Sequence, residues 1–429
     1  MRDVWEMKPV SGSIRGRVRP PGSKSITNRA LICAAMAEGN STLMGALDSD
    51  DTRVMIDGLG RLGIEVASSD EGKQLVMRGT SGRIPALEAD LFCGNSGTTI
   101  RFLTALATLG HGSFRLDGIE RMRERPIGDL LDALGQLGAH AESENGNGCP
   151  PVVVHANGLP GGVARIRGNI SSQFLSGLLM AAPAAQSPVE LHIEGALVSQ
   201  PYVRMTMEVM KSFGIAVETD KRLSHFRIAA PLPYRACEYA IEPDASAASY
   251  FWAAAAITGG EVTVDGLSAD SLQGDVAFVE CLERMGCGVR RDADSITVTG
   301  HALHGIDVGM NAISDTVQTL SVVAMFAAGP TRIRHVGHIR HKETDRISAL
   351  ATELRKLGVA VTEHEDGLTV EAVGEKELHG ATIETYRDHR MAMSFALAAL
   401  RIPDVRINDP GCVDKTYPRY FDDLATLVG

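Results

Sequence analysis

Basic side chains recur beside hydroxyl and amide side chains in short polar segments of this 429-residue chain. The segments are SKSITNR (23–29), GNSGTTIR (94–101), RMRERPIGD (121–129), GNISSQ (168–173), SQPYVR (199–204), NAISDT (311–316), HKETDR (341–346), RDHR (387–390) and DKTYPR (414–419), and all but GNISSQ and NAISDT contain lysine or arginine. Arginine binds carboxylate and phosphate groups as a bidentate fork, and lysine supplies a mobile positive charge. Cations gathered in one cleft would repel one another unless anions shared their site. The pattern therefore predicts ligands that carry several negative charges between them.

The first of these segments opens a predicted helix. Pro21 and Gly22 interrupt the preceding structure, Ser23 can cap, and the apolar run 30–37 predicts a buried helix that ends at Gly39. Free backbone N–H groups and the helix dipole favour an anion at such a start. The segment is typical of a phosphate or carboxylate site, with a solvated helix cap as the alternative.

The segment HKETDR is the densest in charge. We expect Glu343 to carry protons while Lys342 and Arg346 hold anions. A capped, solvated helix start is the alternative. The nearby His335, His338 and His341 have HxxHxxH spacing, but on a strand they would not share one face, so we expect no metal site.

The composition limits the class of protein. A net charge of −11 argues against a nucleic acid or an anionic membrane as partner. The chain lacks an apolar run of the ~20 residues that a membrane span needs and starts without the apolar core of a signal peptide, so we expect a cytoplasmic protein. Its seven cysteines include no CxxC pair, which predicts reduced, mostly buried thiols.

The chain repeats one pattern six times. Amphipathic stretches that end at Leu62, Leu137, Phe213, Met285, Leu357 and Leu427 follow one another at intervals of 70 to 76 residues, and the first five precede a glycine. Polar segments that open alanine-rich stretches recur at the same interval, starting at Ser23, Asn95, Ser171, Asp244, Ser314 and Asp388. We interpret each unit as a strand, a buried helix, a strand, an amphipathic helix and further strands such as 64–67 and 359–362.

The fourth unit differs from the other five. Its polar segments, PDASAAS (243–249) and SLQGD (271–275), contain neither lysine nor arginine, which indicates that the architecture does not require the cations. The Pro-rich stretch 231–244 interrupts the pattern and leaves three units on either side. This predicts two three-unit domains that face each other across a cleft, with a single closed ring of six units as the alternative.

Eight of these motifs together resemble the 5-enolpyruvylshikimate-3-phosphate (EPSP) synthases of the enolpyruvyl transferase family. They occur in the family's order between residues 21 and 421: PGSKSITNRAL, GNSGTT, RMRERPIGDL, SSQFLSGLL, LVSQPYV, HKETDRI, DHRMAM and CVDKTYPRYF. The resemblance implies an α/β (α+β) fold, a two-domain inverted α/β barrel built from six βαβαββ repeats, three per domain. Residues 1–22 plus 242–429 would hold repeats four to six, and residues 23–241 would hold repeats one to three.

The resemblance also implies a reaction. Phosphoenolpyruvate would donate its enolpyruvyl group to the 5-hydroxyl of shikimate 3-phosphate and release phosphate, in the shikimate pathway to chorismate and aromatic amino acids. No metal or organic cofactor would take part. We expect these small molecules as the only partners and a monomer as the working form.

Family likeness further implies the roles of individual residues. Lys24, Asp315 and Glu343 would be catalytic, with Asp315 facing the 5-hydroxyl. The groups that hold phosphoenolpyruvate would be Lys24, Arg125, Gln173, Arg346, Arg390 and Lys415, with the backbone of Asn95 and Gly97. The groups that hold shikimate 3-phosphate would be Lys24, Ser25, Arg29, Ser171, Ser172, Gln173, Ser199, Tyr202, Asp315 and Lys342.

The chain departs from the family pattern at two positions. His338 stands where many members have Asn, and Phe102 replaces a usual Pro. Two other functions remain open, a related UDP-N-acetylglucosamine enolpyruvyl transferase and a catalytically silent anion-binding homologue.

Overall fold

The structure is a computed structural model that describes residues 4–374 and 377–428. Its α-helices are α1 (Lys24–Met36), α2 (Asp50–Arg61), α3 (Gly97–Ala107), α4 (Gly128–Gln136), α5 (Ser172–Ala181), α6 (Gln200–Ser212), α7 (Ala245–Thr258), α8 (Phe278–Arg284), α9 (Val317–Ala324), α10 (Arg346–Lys356), α11 (His389–Ala396) and α12 (Tyr420–Val428). Short 3-10 helices that bear on the site are Gly274–Ala277, Asn311–Thr316, Gly337–His341 and Pro410–Lys415.

Short strands alternate with these helices. They are β1 (Val4–Glu6), β2 (Arg15–Val18), β3 (Ala37–Glu38), β4 (Asn40–Met44), β5 (Val66–Ser69), β6 (Gln74–Arg78), β7 (Glu88–Phe92), β8 (His111–Asp117), β9 (His140–Ser143), β10 (Val152–Asn157), β11 (Gly162–Arg167), β12 (Val189–Glu194), β13 (Glu218–Thr219), β14 (His225–Ile228), β15 (Tyr234–Arg235), β16 (Glu238–Ala240), β17 (Glu261–Asp265), β18 (Gly288–Arg291), β19 (Ser295–Thr299), β20 (Asp307–Gly309), β21 (Thr331–Arg334), β22 (Val361–His364), β23 (Gly367–Val370), β24 (Thr382–Ile383) and β25 (Arg406–Asn408).

The chain divides into two compact units. Unit 1 takes the N-terminal residues up to Pro21 together with the residues from Glu242 onward, and unit 2 takes Gly22–Ile241. Within the described residues, no helix combines the length and the apolar run that crossing a membrane requires.

One strand order recurs in the sheets of both units. In the sheet β7-β8-β10-β9, β7 runs parallel to β8, β8 antiparallel to β10 and β10 antiparallel to β9. The sheets β16-β4-β6-β5, β11-β12-β14-β13, β2-β17-β19-β18 and β20-β21-β23-β22 have the same order, and β24-β25-β1 is a three-stranded version. In four of the six sheets one crossing helix (α3, α5, α9 or α11) joins the two parallel strands, as parallel pairing requires. These sheets are the six predicted repeats.

Strands from distant parts of the sequence complete three of the sheets. Strand β16, at the end of unit 2, pairs in parallel with β4 of the first repeat. Strand β2 pairs with β17 of the fourth repeat, and β1 pairs with β25 of the sixth. The N-terminal residues therefore supply strands to unit 1, which internal repeats in the sequence do not reveal.

The inner helix of each repeat is almost entirely buried. All fourteen residues of α7 are buried, as are all residues of α3, α9 and α11. Small side chains allow this close packing, and α3 contacts both α1 and α5. Side chains of Ser23, Ser96, Ser171, Asp244 and Asp388 cap their helices by accepting a hydrogen bond from a backbone N–H.

Several predicted boundaries were wrong by a few residues. Helix α1 covers Lys24–Met36, and the two-residue strand β3 separates it from Gly39. The strands predicted at 64–67 and 359–362 start two residues later, as β5 and β22, because the chain first leaves the αL glycines Gly63 and Gly358. The seven cysteines are free, and four of them are buried.

Candidate active site

Lys24 is the first residue of α1 in unit 2. The side chain of Ser23 accepts a hydrogen bond from the backbone N–H of Ile26 and fixes the helix start. The Nζ atom of Lys24 lies 3.2 Å from Oδ2 of Asp51, in the first turn of α2, and both side chains are largely shielded from solvent. The carboxylate therefore holds the ammonium group at the N-terminus of α1.

Arg29 lies one turn further along α1 and is 1 % exposed. Its guanidinium donates to neutral oxygens, namely Thr206 Oγ1 (2.7 Å), Ser25 O (2.9 Å), Tyr202 O (3.3 Å) and Ser176 Oγ (3.4 Å). The guanidinium carbon also lies 5.3 Å from the centroid of the Phe102 ring and 5.9 Å from that of Tyr202. Burial lowers the pKa of Arg29 to about 10.

Two further guanidinium groups crowd the start of α3. A Cβ atom on Gly97 would lie 2.4 Å from Arg125 Nη2 and 2.5 Å from Arg101 Nη1, so any other residue here would displace these guanidinium groups. Arg125 Nη1 donates to the backbone oxygen of Asn95 at 3.1 Å. Arg101 Nη1 donates to Oε1 of Gln173 at 2.8 Å, which joins α3 to α5. Arg101 is 3 % exposed and Arg125 is 2 % exposed.

The remaining predicted groups of unit 2 occupy two other helix starts. Ser171 caps α5, and its Oγ accepts from the backbone N–H of Gln173 at 3.3 Å. Ser199 precedes α6 in the left-handed conformation, with φ of 51°, and its carbonyl accepts from the N–H of Tyr202 at 3.0 Å. Ser172 is buried. Hydroxyl, amide and basic groups therefore come from the starts of α1, α3, α5 and α6.

In unit 1, Asp315 accepts hydrogen bonds from three cations. Its Oδ1 lies 3.1 Å from Arg346 Nη1 and 3.5 Å from Lys342 Nζ, and its Oδ2 lies 2.9 Å from Arg390 Nη2. The 3-10 helix Asn311–Thr316 places this carboxylate ahead of α9. The structure thus brings together four of the residues that the sequence predicts.

Arg346 connects Asp315 to two further carboxylates. Its Nη2 donates to Oε2 of Glu343 at 2.8 Å, and its Nε donates to Oδ2 of Asp388 at 2.8 Å. Burial alone would lower the pKa of Arg346, but Asp388, Glu343 and Asp315 raise it above its ordinary value. The other oxygen of Glu343, Oε1, lies 3.9 Å from Lys415 Nζ. Glu343 therefore accepts a hydrogen bond from Arg346 at Oε2 and lies near Lys415 at Oε1.

The three histidines lie in different surroundings, and not on a strand as considered from the sequence. His335 is exposed, with Nδ1 3.3 Å from Oδ2 of Asp366, whereas His338 lies in the 3-10 helix Gly337–His341 and is 9 % exposed. Burial, followed by the charge of Lys342, lowers the pKa of His338 to about 4. His338 is therefore neutral at physiological pH.

The fourth repeat, whose polar segments contain neither lysine nor arginine, contributes a buried carboxylate. Asp275 is 3 % exposed and accepts a hydrogen bond from the hydroxyl of Ser246. Its 3-10 helix, Gly274–Ala277, packs against the 3-10 helix that carries Asp315. Burial, and then the negative charge of Asp315, raise the pKa of Asp275 above its ordinary value.

Sequence reasoning missed the residues that position the predicted ones. These residues are Asp51, Arg101, Asp275 and Asp388. Arg101 and Asp388 belong to the polar segments GNSGTTIR and RDHR, so their position at predicted helix starts could have indicated a role in the site. Asp275 lies in a segment without cations, so the pattern of cations did not indicate it.

The family model described as EPSP synthase (3-phosphoshikimate 1-carboxyvinyltransferase) matches residues 9–424. The chain belongs to the EPSP synthase family. A relative from Trichormus variabilis is named 3-phosphoshikimate 1-carboxyvinyltransferase. It is 49 % identical to this chain, and the match covers 100 % of both chains.

Solved structures show the same fold. An EPSP synthase from Acinetobacter baumannii superposes with a TM-score of 0.81 at 24 % identity, covering 99 % of this chain and 98 % of that one. The enolpyruvyl transferase NikO from Streptomyces tendae gives a TM-score of 0.78 at 20 % identity, covering 98 % and 96 %. The predicted two-domain α/β fold and the EPSP synthase family resemblance are confirmed.

Proposed function

We propose that this chain is a 3-phosphoshikimate 1-carboxyvinyltransferase. It would transfer the enolpyruvyl group of phosphoenolpyruvate to the 5-hydroxyl of shikimate 3-phosphate and release phosphate, as a step towards chorismate and the aromatic amino acids. The observation that carries this proposal is the match over the whole chain to relatives of that name. We further propose that units 1 and 2 are the family's two domains and that the protein is a cytoplasmic monomer.

The reaction proceeds in two steps, and each step moves protons. In the first step the 5-hydroxyl oxygen bonds to C2 of phosphoenolpyruvate and loses its proton, while C3 gains a proton and becomes a methyl group. In the second step the C2–O bond to phosphate breaks and the methyl group loses a proton. One pair of acid and base groups can serve both steps.

Asp315 and Glu343 are the proposed proton carriers of unit 1. The cations within 3.5 Å of Asp315 offset its charge and fix both of its oxygens. Glu343 is held by Arg346 through one oxygen, which leaves Oε1 and its neighbour Lys415 on the other side. We assign the 5-hydroxyl to Asp315 and the carbon C3 to Glu343, with Lys24 of unit 2 as a further acid for the leaving phosphate.

The cations supply the charge that two anionic substrates require. We propose that Arg346, Arg390 and Lys415 bind phosphoenolpyruvate, and that Lys342 binds shikimate 3-phosphate. From unit 2, Lys24, Arg125, Gln173 and the backbone of Asn95 and Gly97 would bind phosphoenolpyruvate. Shikimate 3-phosphate would contact Lys24, Ser25, Arg29, Ser171, Ser172, Gln173, Ser199 and Tyr202. Positive groups fixed before the substrate arrives need no reorganisation during the reaction.

Besides its proposed contact with shikimate 3-phosphate, Arg29 would support the site through its neighbours. Its guanidinium is 1 % exposed and also orients the backbone of Ser25 and Tyr202. Its positive charge adds to the potential at the start of α1.

A phosphate-release assay tests the proposal. Purified protein should release inorganic phosphate only when phosphoenolpyruvate and shikimate 3-phosphate are both present. Release with UDP-N-acetylglucosamine in place of shikimate 3-phosphate would assign the related transferase. A folded protein that binds both anions and releases no phosphate would instead be a silent homologue.

A further inference from the structure

A cluster of metal-ligating side chains lies on the sheet β11-β12-β14-β13 of unit 2, and its residues are not among the proposed substrate groups. His192 on β12 and His225 on β14 are direct partners across two antiparallel strands. Glu190 lies two residues before His192 on the same strand, so all three side chains project from one face of the sheet. They are 35 to 39 % exposed, which leaves the cluster accessible to solvent ions.

The ligand atoms of the three side chains converge. Oε1 of Glu190 lies 2.9 Å from Nε2 of His225 and 3.0 Å from Nε2 of His192, and the two imidazole centroids are 4.7 Å apart. One ligand atom from each residue lies within 4.8 Å of the others. Zinc binds imidazole nitrogen and carboxylate oxygen at about 2.0–2.2 Å, so small side-chain rotations would place all three atoms around one ion.

We propose that Glu190, His192 and His225 form a three-ligand site for a divalent late transition-metal ion, of which Zn²⁺ is the natural probe. Solvent water would complete the coordination. Each imidazole would bind through Nε2 and carry its proton on Nδ1. The site lies outside the groups assigned to enolpyruvyl transfer, and the reaction does not depend on it.

Neighbouring charges determine which ions the site accepts. The strand register places Arg227 opposite Glu190 and Arg165 beside His192. These positive charges oppose any cation, so a hard ion such as Mg²⁺, which depends on oxygen ligands, would gain too little from one carboxylate. Imidazole nitrogen suits zinc, copper and nickel. The donor set therefore favours late transition metals.

The second repeat provides a matched internal control. His140 and His155 are also direct partners across antiparallel strands, with ring centroids 4.9 Å apart and Glu142 two residues from His140. There, however, Oε1 of Glu142 lies 3.8 Å from Nε2 of His155. Across the described ranges 4–374 and 377–428, one group of three or more His, Cys, Asp or Glu side chains is placed to hold a metal ion, and it is the Glu190 cluster.

Equilibrium dialysis and calorimetry of the full chain with Zn²⁺, with Mg²⁺ as comparison, test the proposal. We expect one Zn²⁺ per chain that Mg²⁺ does not displace. His192→Ala and His225→Ala should each weaken binding by at least about tenfold, since loss of even an outer-shell partner costs 10- to 100-fold. His140→Ala and His155→Ala should leave binding unchanged. Because all four positions are partly exposed, the variants should retain the wild-type rate of phosphate release.

The partly exposed cysteines could also bind the metal ion, and a spectroscopic measurement distinguishes them from the histidines. The electron paramagnetic resonance spectrum of the Cu²⁺ complex should show hyperfine coupling to imidazole nitrogen that His192→Ala diminishes. Zn²⁺ binding that survives in both His192→Ala and His225→Ala, an equal loss in the His140 and His155 variants, or no binding by the wild-type protein would each overturn the proposal.

Discussion

Two arginines, one in each unit, are each 1 % exposed but have opposite surroundings. Arg29 in unit 2 donates hydrogen bonds to hydroxyl and carbonyl oxygens and lies over two aromatic rings. Arg346 in unit 1 contacts the carboxylates of Asp315, Glu343 and Asp388. Burial lowers the pKa of the first, whereas the three carboxylates raise the pKa of the second despite its burial.

The difference indicates separate tasks for the two units. A buried guanidinium whose described contacts are all neutral retains a net positive charge, which suits an anionic ligand nearby. A guanidinium among three carboxylates has its charge offset by them and also fixes their positions, in addition to the proposed contact with phosphoenolpyruvate. We infer that unit 2 chiefly attracts anions and that unit 1 chiefly orients the groups that move protons.

The largest stability effect should follow Arg346→Gln. Removing this cation leaves Asp315, Glu343 and Asp388 with less compensation in a buried site, and breaking a buried pair in this way costs about 3–5 kcal/mol. Urea unfolding of the variant and the wild type measures this loss. The matched control is Arg406→Gln, since the exposed Arg406–Glu6 pair should contribute less than about 1 kcal/mol.

His338→Asn should change the pH dependence of the free energy of unfolding. The folded state holds His338 neutral with a pKa of about 4, against an ordinary 6.5, so unfolding takes up a proton between these values. Wild-type stability should therefore fall by about 3 kcal/mol more than that of His338→Asn as the pH drops from 6.5 to 4. Urea unfolding at several pH values measures it, and parallel curves would contradict it.

Arg29→Gln should cost less than Arg346→Gln. The substitution removes hydrogen bonds to neutral partners and leaves no carboxylate buried without its cation, so we expect a loss of about 1–3 kcal/mol. Its kinetic signature should be a higher KM for shikimate 3-phosphate with a smaller change in the KM for phosphoenolpyruvate. A stability loss equal to that of Arg346→Gln would remove the distinction between the two arginines.

Asp275→Asn should have the smallest effect on the free energy of unfolding, and the pH should decide whether the variant is more stable than wild type. The raised pKa of Asp275 means that its contribution to stability is full below the ordinary value of 3.8 and is lost as pH rises through its folded pKa. The amide can still accept the hydrogen bond from Ser246 and carries no charge. The variant should gain stability relative to wild type at pH 8 and lose that gain near pH 4. A constant difference across this range would show that Asp275 does not titrate in this way.

The sequence predicted the repeats and the helix starts because both leave local signals. Cap residues such as Ser171, the glycines that follow the outer helices and the apolar periodicity are all encoded within a few residues. The pairing of β2 with β17 and of β1 with β25 left no such signal, since the partners are hundreds of residues apart.

In the candidate site too, local contacts could be predicted from the sequence and contacts between distant segments could not. Glu343 and Arg346 are three residues apart at a helix start, so their contact is local. The contacts of Arg346 with Asp388 and of Lys24 with Asp51 depend on how separate elements pack, and motif reading alone cannot supply them. Asp275 shows that a repeat without cations can still bear on a charged site.

The most direct test of the proposed chemistry follows the proton at C3 in wild type and Glu343→Gln. In D₂O, wild type should release phosphate and give product with deuterium in its enolpyruvyl CH₂ group, because C3 accepts a solvent-derived deuteron before one of the three methyl hydrogens leaves. Glu343→Gln should retain binding of shikimate 3-phosphate while phosphate release falls by about 10²- to 10⁴-fold. Phosphate release and deuterium incorporation at the wild-type rate in this variant would contradict the role of Glu343.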